Sequence, residues 1–358
     1  MIPVTKSFLP PIEEYMAQVQ RAYNNSWLTN RGELVKELEH KLNEYIGLND
    51  TQILCMSNGT VPIQLAIKLL ANGGEVITTP FSYVATTAAI AWEGCKPIFV
   101  DIHPEYLTID ESKIEAAITP KTTCLLATHV FGNPCNVEEI DRIAKKHNLK
   151  VIYDGAHAFG VKYKGKPIFE YGDVSTCSFH ATKLFHTGEG GAIFTKDSTL
   201  FNKLFLSHTF GHIADDYYQV GINGKMSELS AAMGLAVLPS IEDILIKRKN
   251  NFLTYQIHLN KHLKTTVIRP ETDYNFSYIP IIFESEEILL KVKSSLESNN
   301  IFPRRYFYPS LNTISFYRSQ NKMPVSESIA SRVLCLPNFF ELTNLEIENI
   351  TKIILRNL

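Results

Sequence analysis

Short apolar segments alternate with segments of helical length between residues 52 and 195. The apolar segments predict strands at Gln52–Met56, Glu75–Thr79, Pro97–Val100, Thr123–Thr128, Lys150–Tyr153, Val174–Phe179 and Ala192–Thr195. The intervening segments predict helices at Thr60–Leu70, Thr86–Trp92, Glu111–Ala117 and Val137–His147. Strands that alternate with helices form a mostly parallel sheet with helices on both faces. The pattern therefore predicts an α/β fold in which ligands bind at the carboxyl ends of the strands.

The length of the chain indicates a second, smaller domain. At 358 residues it exceeds the size at which a single core usually stops growing. A helix-like stretch, Met226–Val237, leads to Pro239, and the long charged segment Ile241–Leu263 keeps helical spacing. We interpret this segment as the connector between a large domain, residues 1–238, and a small C-terminal α+β domain, residues 239–358. The small domain has strand candidates at Ser277–Ile282 and Ser331–Leu336 and helix candidates at Glu286–Ser298 and Leu345–Arg356.

Composition excludes several partner classes. The net charge of −2 gives no electrostatic reason to expect nucleic acid or an anionic membrane as a partner. The six cysteines form no C-x-x-C pair, so we expect reduced core thiols in a cytoplasmic protein. The N-terminus lacks the pattern of a signal peptide, and we expect no stretch near the ~18 apolar residues of a membrane span.

Two short motifs follow predicted strands and are candidates for ligand contacts. Ser57–Thr60 stands between a strand and a helix, where free backbone N–H groups and the helix dipole bind anions. Taken alone, the motif is more simply explained as a turn with a helix N-cap. Asp154 ends a predicted central strand, where a carboxylate suits a cationic ligand nitrogen or caps a helix. His157 fits a core histidine, a ring that stacks on a ligand, or a metal ligand. No metal is expected, because the histidines lack the spacing of a metal site.

Lys183 lies in the segment Ser178–Lys183, which is followed by the glycine-rich stretch Gly188–Gly191. An apolar surround lowers the pKa of an ammonium and leaves a nucleophilic amine, whereas a surface lysine on a turn is the alternative. The combination decides between them. A phosphate site, a strand-end aspartate and a lysine about thirty residues later suit the phosphate, the pyridine nitrogen and the aldehyde of pyridoxal 5′-phosphate. The motifs typical of NAD and ATP sites are absent from the sequence.

Over essentially its whole length the sequence resembles the DegT/StrS type of pyridoxal-phosphate-dependent nucleotide-sugar aminotransferases. The stretches that carry the resemblance are Trp27–Gly32, Ser57–Thr60, Thr79–Thr86, Thr128–Gly132, Asp154–His157, Ser178–Lys183 with Gly188–Gly191, Asn223–Met226 and Leu336–Pro337. The resemblance implies the fold of type I pyridoxal-phosphate transferases, the aspartate aminotransferase fold.

The resemblance also implies roles for individual residues. Lys183 would attach the cofactor covalently and then carry the proton, and Asp154 would keep the pyridine nitrogen protonated. The remaining cofactor contacts would come from Gly59, Thr60 and Ser178 at the phosphate, from Tyr83 and His157 on the two faces of the ring, and from Asn223 of a neighbouring subunit. That last contact implies an obligate homodimer with shared sites.

The substrate implied by the resemblance is a nucleotide-linked keto sugar, with L-glutamate as the amino donor. The chain is most similar to the VioA-like transaminases, which make dTDP-4-amino-4,6-dideoxy-D-glucose for O-antigen and related glycans. The implied substrate contacts are Thr29, Asn30, Lys225, Arg305, Tyr306 and Tyr308. Arginines suit phosphate oxygens, and tyrosines suit the faces of sugars and bases.

Three alternatives to this function stay open. They are amination at C3 of a 3-keto isomer, dehydration of a sugar nucleotide, and cofactor binding by a regulator without catalysis. Lys183 disfavours dehydration, because related dehydratases replace the lysine by histidine. The sequence has no appended DNA-binding segment that would favour a regulator.

Overall fold

The computed structural model describes residues 1–317 and 321–358. The helices are α1 (Ile12–Asn24), α2 (Glu33–Ile46), α3 (Thr60–Leu70), α4 (Val84–Trp92), α5 (Val137–His147), α6 (Ser198–His208), α7 (Glu228–Val237), α8 (Ile241–Leu259), α9 (Glu286–Ser298), α10 (Pro324–Arg332) and α11 (Asn344–Leu355). The strands are β1 (Ile2–Pro3), β2 (Gln52–Met56), β3 (Glu75–Thr78), β4 (Lys96–Phe99), β5 (Thr122–Thr128), β6 (Lys150–Asp154), β7 (Lys162–Tyr163), β8 (Lys166–Pro167), β9 (Val174–Ser178), β10 (Gly191–Thr195), β11 (His212–Ile213), β12 (Asp216–Tyr217), β13 (Lys264–Thr265), β14 (Thr272–Asp273), β15 (Ile279–Ile282), β16 (Ile301–Phe302) and β17 (Val333–Leu336).

A seven-stranded sheet forms the centre of the fold, in the order β2-β10-β9-β6-β5-β3-β4. The strands from β9 to β4 pair in parallel, and β10 runs antiparallel to its neighbours β9 and β2. The predicted mostly parallel sheet with flanking helices is thereby confirmed. One predicted element is wrong: residues 111–117 form two short 3₁₀ turns instead of an α-helix. The first turn is capped by Asp110, whose carboxylate accepts from the Ser112 N–H.

Both faces of the sheet are buried, which explains why a central strand such as β5 has apolar side chains on both faces. In β5, Leu125 and Ala127 belong to the core on one face, whereas Cys124 and Leu126 belong to the core on the other. Helices α2, α5 and α7 contribute side chains to the first core, and α3 and α6 contribute side chains to the second. Side chains that alternate between two cores fix the strand register, because a slip of one residue would exchange the faces.

The C-terminal part packs a separate core around the antiparallel sheet β13-β15-β17 with α8, α9 and α11. The N-terminus joins this part: β1 pairs in parallel with β16, and Asn338 N–H donates to the Val4 carbonyl at 3.0 Å. The division at residues 238 and 239 stays a prediction.

One helical run among the described residues, Glu228–Leu259, passes the length and composition test for a membrane span. The sequence-based expectation that no stretch approaches such a span was therefore too strong on those two criteria. The apolar window of this run is 44% buried within the fold. Ala231, Ala232 and Val237 contribute to the first core, so packing within that core explains the apolar composition.

Candidate active site

The carboxyl ends of three neighbouring parallel strands form the floor of a cleft of about 550 Å³. They end at Thr128, Asp154 and Ser178, which line the cleft, and the strand register pairs Thr128 with Asp154. The other predicted site residues that line it are Gly59, Thr60, Tyr83, His157, Lys183 and Tyr306. With Asp154 and Ser178, eight predicted site residues between positions 59 and 306 therefore line one cavity. It lies at the edge of the sheet where parallel strands bind ligands.

Lys183 stands on the turn that connects β9 with β10. Backbone hydrogen bonds across this turn, such as Ala181 N–H to Gly188 O at 2.8 Å, hold it in place. The Lys183 side chain is half-buried, and its Nζ lies 3.4 Å from the Tyr278 hydroxyl. Burial lowers the pKa of Lys183, and the Asp154 carboxylate opposes this by raising it. The lysine thus lies in the cleft with a lowered pKa, which is the condition for a nucleophilic amine.

The Asp154 carboxylate is 5% exposed at the floor of the cleft. Its Oδ2 accepts from the Thr86 hydroxyl at 2.7 Å, and its Oδ1 accepts from the Ala156 N–H at 3.0 Å. Thr86 in turn contacts the Ser82 hydroxyl at 2.8 Å, and Ser82 contacts the Thr128 hydroxyl at 3.2 Å. This chain of hydroxyls fixes the orientation of the carboxylate. Both carboxylate oxygens thus accept hydrogen bonds at the floor of the cleft, where a carboxylate suits a cationic ring nitrogen.

The N-terminus of α3 forms a narrow cradle against the end of β9. Asn58 Oδ1 accepts from the N–H groups of Thr60 and Val61 at 2.8 and 2.9 Å, which caps the helix. A Cβ at position 59 would stand 2.6 Å from the Cβ of Ser178, so only glycine fits there. The hydroxyls of Thr60 and Ser178 border this space, which suits a phosphate group at a helix N-terminus.

His157 stands beside Lys183 as a neutral ring. Its Nδ1 accepts from the Phe131 N–H at 3.2 Å, so its proton is on Nε2. Burial and the neighbouring charge of Lys183 hold the pKa of His157 well below its usual value. The ring stacks with Phe307 at a centroid distance of 5.6 Å, so it is a packed aromatic wall of the cleft that presents a single N–H donor.

The two predicted tyrosines of the cleft differ in exposure. Tyr83 is 56% exposed at the start of α4, with its ring free to cover a planar ligand. Tyr306 is half-buried and packs edge-to-face on Tyr278, at 5.7 Å between centroids.

Six predicted site residues lie outside this cleft. Thr29, Asn30 and Asn223 are exposed. Lys225 places its ammonium 4.6 Å from the centre of the Phe210 ring. Arg305 pairs with Glu286 at 2.6 Å and covers the ring of the exposed Tyr308. The chain by itself does not bring these six side chains to Lys183.

Three lining residues were not singled out from the sequence. Arg304 lines the cleft where Arg305 had been expected. Its side chain makes no ion pair within the part of the chain that the structure describes. Thr86 lies within a quoted motif, but nothing in its spacing reveals a bond to Asp154. Tyr278 precedes β15, far from Lys183 in sequence, and no local signal connects the two.

The two histidines near Lys183 hold the turn in shape. His180 is exposed, and its Nδ1 lies 2.8 Å from the Thr182 hydroxyl and accepts from the Thr182 N–H. His186 is buried; its Nδ1 accepts from the Gly188 N–H, and its Nε2 lies 2.6 Å from the Phe8 carbonyl, to which it donates. In the described ranges no group of three or more His, Cys, Asp or Glu residues has the arrangement of a metal site. All six cysteines are buried free thiols.

The comparison with known proteins agrees with this arrangement. The sequence model of the DegT/DnrJ/EryC1/StrS aminotransferase family matches residues 11–355. The chain is 40% identical, over 349 residues and 95% of each chain, to a dTDP-4-amino-4,6-dideoxy-D-glucose transaminase of Shigella dysenteriae. It is also 40% identical to an Escherichia coli protein of the same name, over 99% of this chain and 98% of the relative. The crystal structure of DesI in the presence of its TDP-sugar product has a TM-score of 0.93 at 29% identity, over 99% of this chain and 93% of that one.

Proposed function

The chain belongs to the DegT/DnrJ/EryC1/StrS aminotransferase family, and from that membership we propose that it aminates C4 of dTDP-4-keto-6-deoxy-D-glucose. The product is dTDP-4-amino-4,6-dideoxy-D-glucose, the sugar in the names of two relatives that are 40% identical. The observation that carries the proposal within the site is the half-buried Lys183 amine above the Asp154 carboxylate, beside a cradle that fits a phosphate.

The cofactor we propose is pyridoxal 5′-phosphate, which acts as an electron sink that stabilises negative charge on the substrate carbon. Gly59, Thr60 and Ser178 would hold its phosphate, and the buried Asp154 carboxylate would pair with its ring nitrogen. Tyr83 and His157 would contact the ring itself. The match of these residues to the cofactor rests on the space at Gly59 and on the hydrogen bonds of Asp154.

Lys183 has two tasks in this proposal. Its amine would hold the cofactor at its aldehyde, and the same amine, once free, would carry the proton at the substrate carbon. Both tasks require an amine that is neutral for part of the cycle, and the pKa of Lys183 is lowered by burial.

We further propose L-glutamate as the amino donor and an obligate homodimer as the working form. The exposed Asn223 then reaches the cofactor phosphate of the partner subunit, and Thr29, Asn30 and Lys225 belong to the shared substrate site. Arg304, in the cleft, is better placed for an anionic group than Arg305, which is already paired with Glu286. The buried free thiols suit an enzyme of the cytoplasm.

The test is incubation of the purified enzyme with L-glutamate and dTDP-4-keto-6-deoxy-D-glucose. Mass spectrometry and NMR of the product locate the new amine, and we expect it at C4. An amine at C3, or no aminated product, refutes the substrate assignment. A matched reaction without glutamate tests for dehydration, because loss of water from the sugar in that reaction would identify a dehydratase.

A further inference from the structure

Tyr278 occupies a fixed position behind the lysine, although it comes from the C-terminal part of the chain. The side chain is 7% exposed. Its ring packs on His157 at 4.6 Å, on Phe131 at 5.7 Å and edge-to-face on Tyr306 at 5.7 Å. The hydroxyl of this packed ring lies 3.4 Å from Lys183 Nζ.

We propose that Tyr278 is a further catalytic residue, whose hydroxyl accepts a hydrogen bond from the Lys183 amine and so fixes the position of Nζ in the cleft. Within residues 1–317 and 321–358, no other side chain makes a hydrogen bond to Nζ. The catalytic meaning of the contact rests on the proposed transamination, whereas the contact itself does not.

The chemistry of the phenol defines what it does. Burial raises the pKa of Tyr278, so the phenol keeps its own proton. It therefore serves as an acceptor and not as the base. When Lys183 takes a proton from the substrate carbon, that proton becomes the third N–H of an ammonium group. Tyr278 accepts a hydrogen bond from one N–H, which leaves another directed into the cleft for return of the proton.

The backbone around Tyr278 is tied to the site by its neighbours. Ser277 donates its hydroxyl to the His157 carbonyl at 3.2 Å, and its own carbonyl accepts from the Arg248 guanidinium at 3.0 Å. Arg248 is 3% exposed on α8. Arg248 thus anchors the backbone of Ser277, the residue next to Tyr278.

Several other groups contribute to the charge environment of Lys183. The titratable side chains that face it are Asp154, His157, Cys177, Tyr83 and Tyr306. The substitution Tyr278→Phe leaves them all in place and removes one acceptor. A hydrogen bond stabilises the charged form of an amine, so its loss should lower the pKa of Lys183 further, by about half a unit to one unit for a contact of this length.

The experiment measures this pKa in the full-length enzyme loaded with pyridoxamine 5′-phosphate, which leaves Lys183 a free amine. Trace acetic anhydride labels the lysines between pH 6 and 11, and mass spectrometry quantifies the labelled Lys183 peptide. We expect the Lys183 labelling midpoint to fall by about half a unit to one unit in Tyr278→Phe, and kcat to fall about tenfold with KM within about twofold.

Tyr274→Phe is the matched control. Tyr274 is half-buried, and its hydroxyl donates to the Phe131 carbonyl at 2.9 Å without contacting Lys183. An unchanged midpoint in Tyr278→Phe, or an equal shift in both variants, overturns the proposal. A shift confined to Tyr278→Phe in an enzyme that does not aminate the sugar supports the hydrogen bond and refutes only the proposed substrate.

Discussion

Substitution of Gly59 by alanine tests the phosphate cradle directly. The new Cβ would stand 2.6 Å from Ser178 Cβ, 2.8 Å from its Oγ and 3.0 Å from its Cα. Carbon atoms pack at about 3.5–4.0 Å, so the start of α3 and the end of β9 must separate by about 1 Å. Such overpacking costs about 1–3 kcal/mol of folding free energy. Ser178 cannot move alone, because β9 is paired with β10 at Gly191.

The same displacement should weaken phosphate binding more than it weakens the fold. Hydrogen bonds that are stretched by about 1 Å are largely lost, and the loss of one or two bonds to a charged group is worth about 2–4 kcal/mol. We therefore expect Gly59→Ala to bind pyridoxal 5′-phosphate about 30- to 1000-fold more weakly. Fluorescence titration of the cofactor-free enzyme gives the affinity, and urea unfolding gives the stability.

Pyridoxal, which has no phosphate, is the control ligand for this substitution. Its affinity should change little in Gly59→Ala, because only the phosphate occupies the cradle. The double variant Gly59→Ala with Ser178→Gly removes the clash with Cβ and Oγ, so it should regain stability without regaining phosphate affinity. Equal losses for both ligands, or unchanged binding of pyridoxal 5′-phosphate, would refute the assignment of the cradle.

Three further perturbations address the carboxylate, its support and the buried histidines. Asp154→Asn keeps the shape of the side chain but removes its charge, so turnover should fall about a hundredfold or more with stability within about 1 kcal/mol; near-normal turnover in a steady-state assay would contradict its role. Thr86→Val leaves Asp154 Oδ2 without its donor, and the free energy of unfolding measured in urea should fall by about 1–3 kcal/mol. Thr87→Val is the control and should change this free energy little, because the buried Thr87 hydroxyl has no hydrogen-bond partner among the described residues. Burial lowers the pKa of His129 to about 3. His129 is therefore protonated below about pH 6.5 in the unfolded chain, whereas in the folded chain it stays neutral down to about pH 3. Stability should therefore fall as pH drops below about 6.5, and His129→Gln should reduce this slope by about 1.4 kcal/mol per pH unit; parallel slopes in urea titrations would be the contrary result.

Local patterns in the sequence predicted the parts of the fold that depend on burial. The β5 segment is apolar because both faces of the sheet are covered, so its position followed from composition alone. The segment 111–117 has helical spacing but forms two 3₁₀ turns. Its length and its single buried apolar residue, Ile114, are too small to stabilise an α-helix by packing.

The sequence predicts the site residues that lie at the ends of strands. It does not predict the residues that reach the cleft through tertiary packing. Asp154 and Ser178 end parallel strands, and their meeting follows from the topology. The choice between Arg304 and Arg305 does not, because neighbouring side chains of an extended segment point to opposite sides. Arg305 is held by Glu286 and by the Ser331 carbonyl, whereas Arg304 lines the cleft. Tyr278 approaches Lys183 through the packing of the C-terminal part, which no local pattern encodes.

Lys183 and Asp154 lie in the same cleft but are held by different numbers of hydrogen bonds. The Asp154 carboxylate accepts from the Thr86 hydroxyl and from the Ala156 N–H. Among the described residues, Lys183 Nζ has one hydrogen-bond partner, the Tyr278 hydroxyl at 3.4 Å, and burial lowers the pKa of this lysine. Two donors therefore hold the carboxylate, whereas one long contact holds the amine. Loss of the Tyr278 hydroxyl should for this reason change the reactivity of the lysine while the carboxylate stays in place.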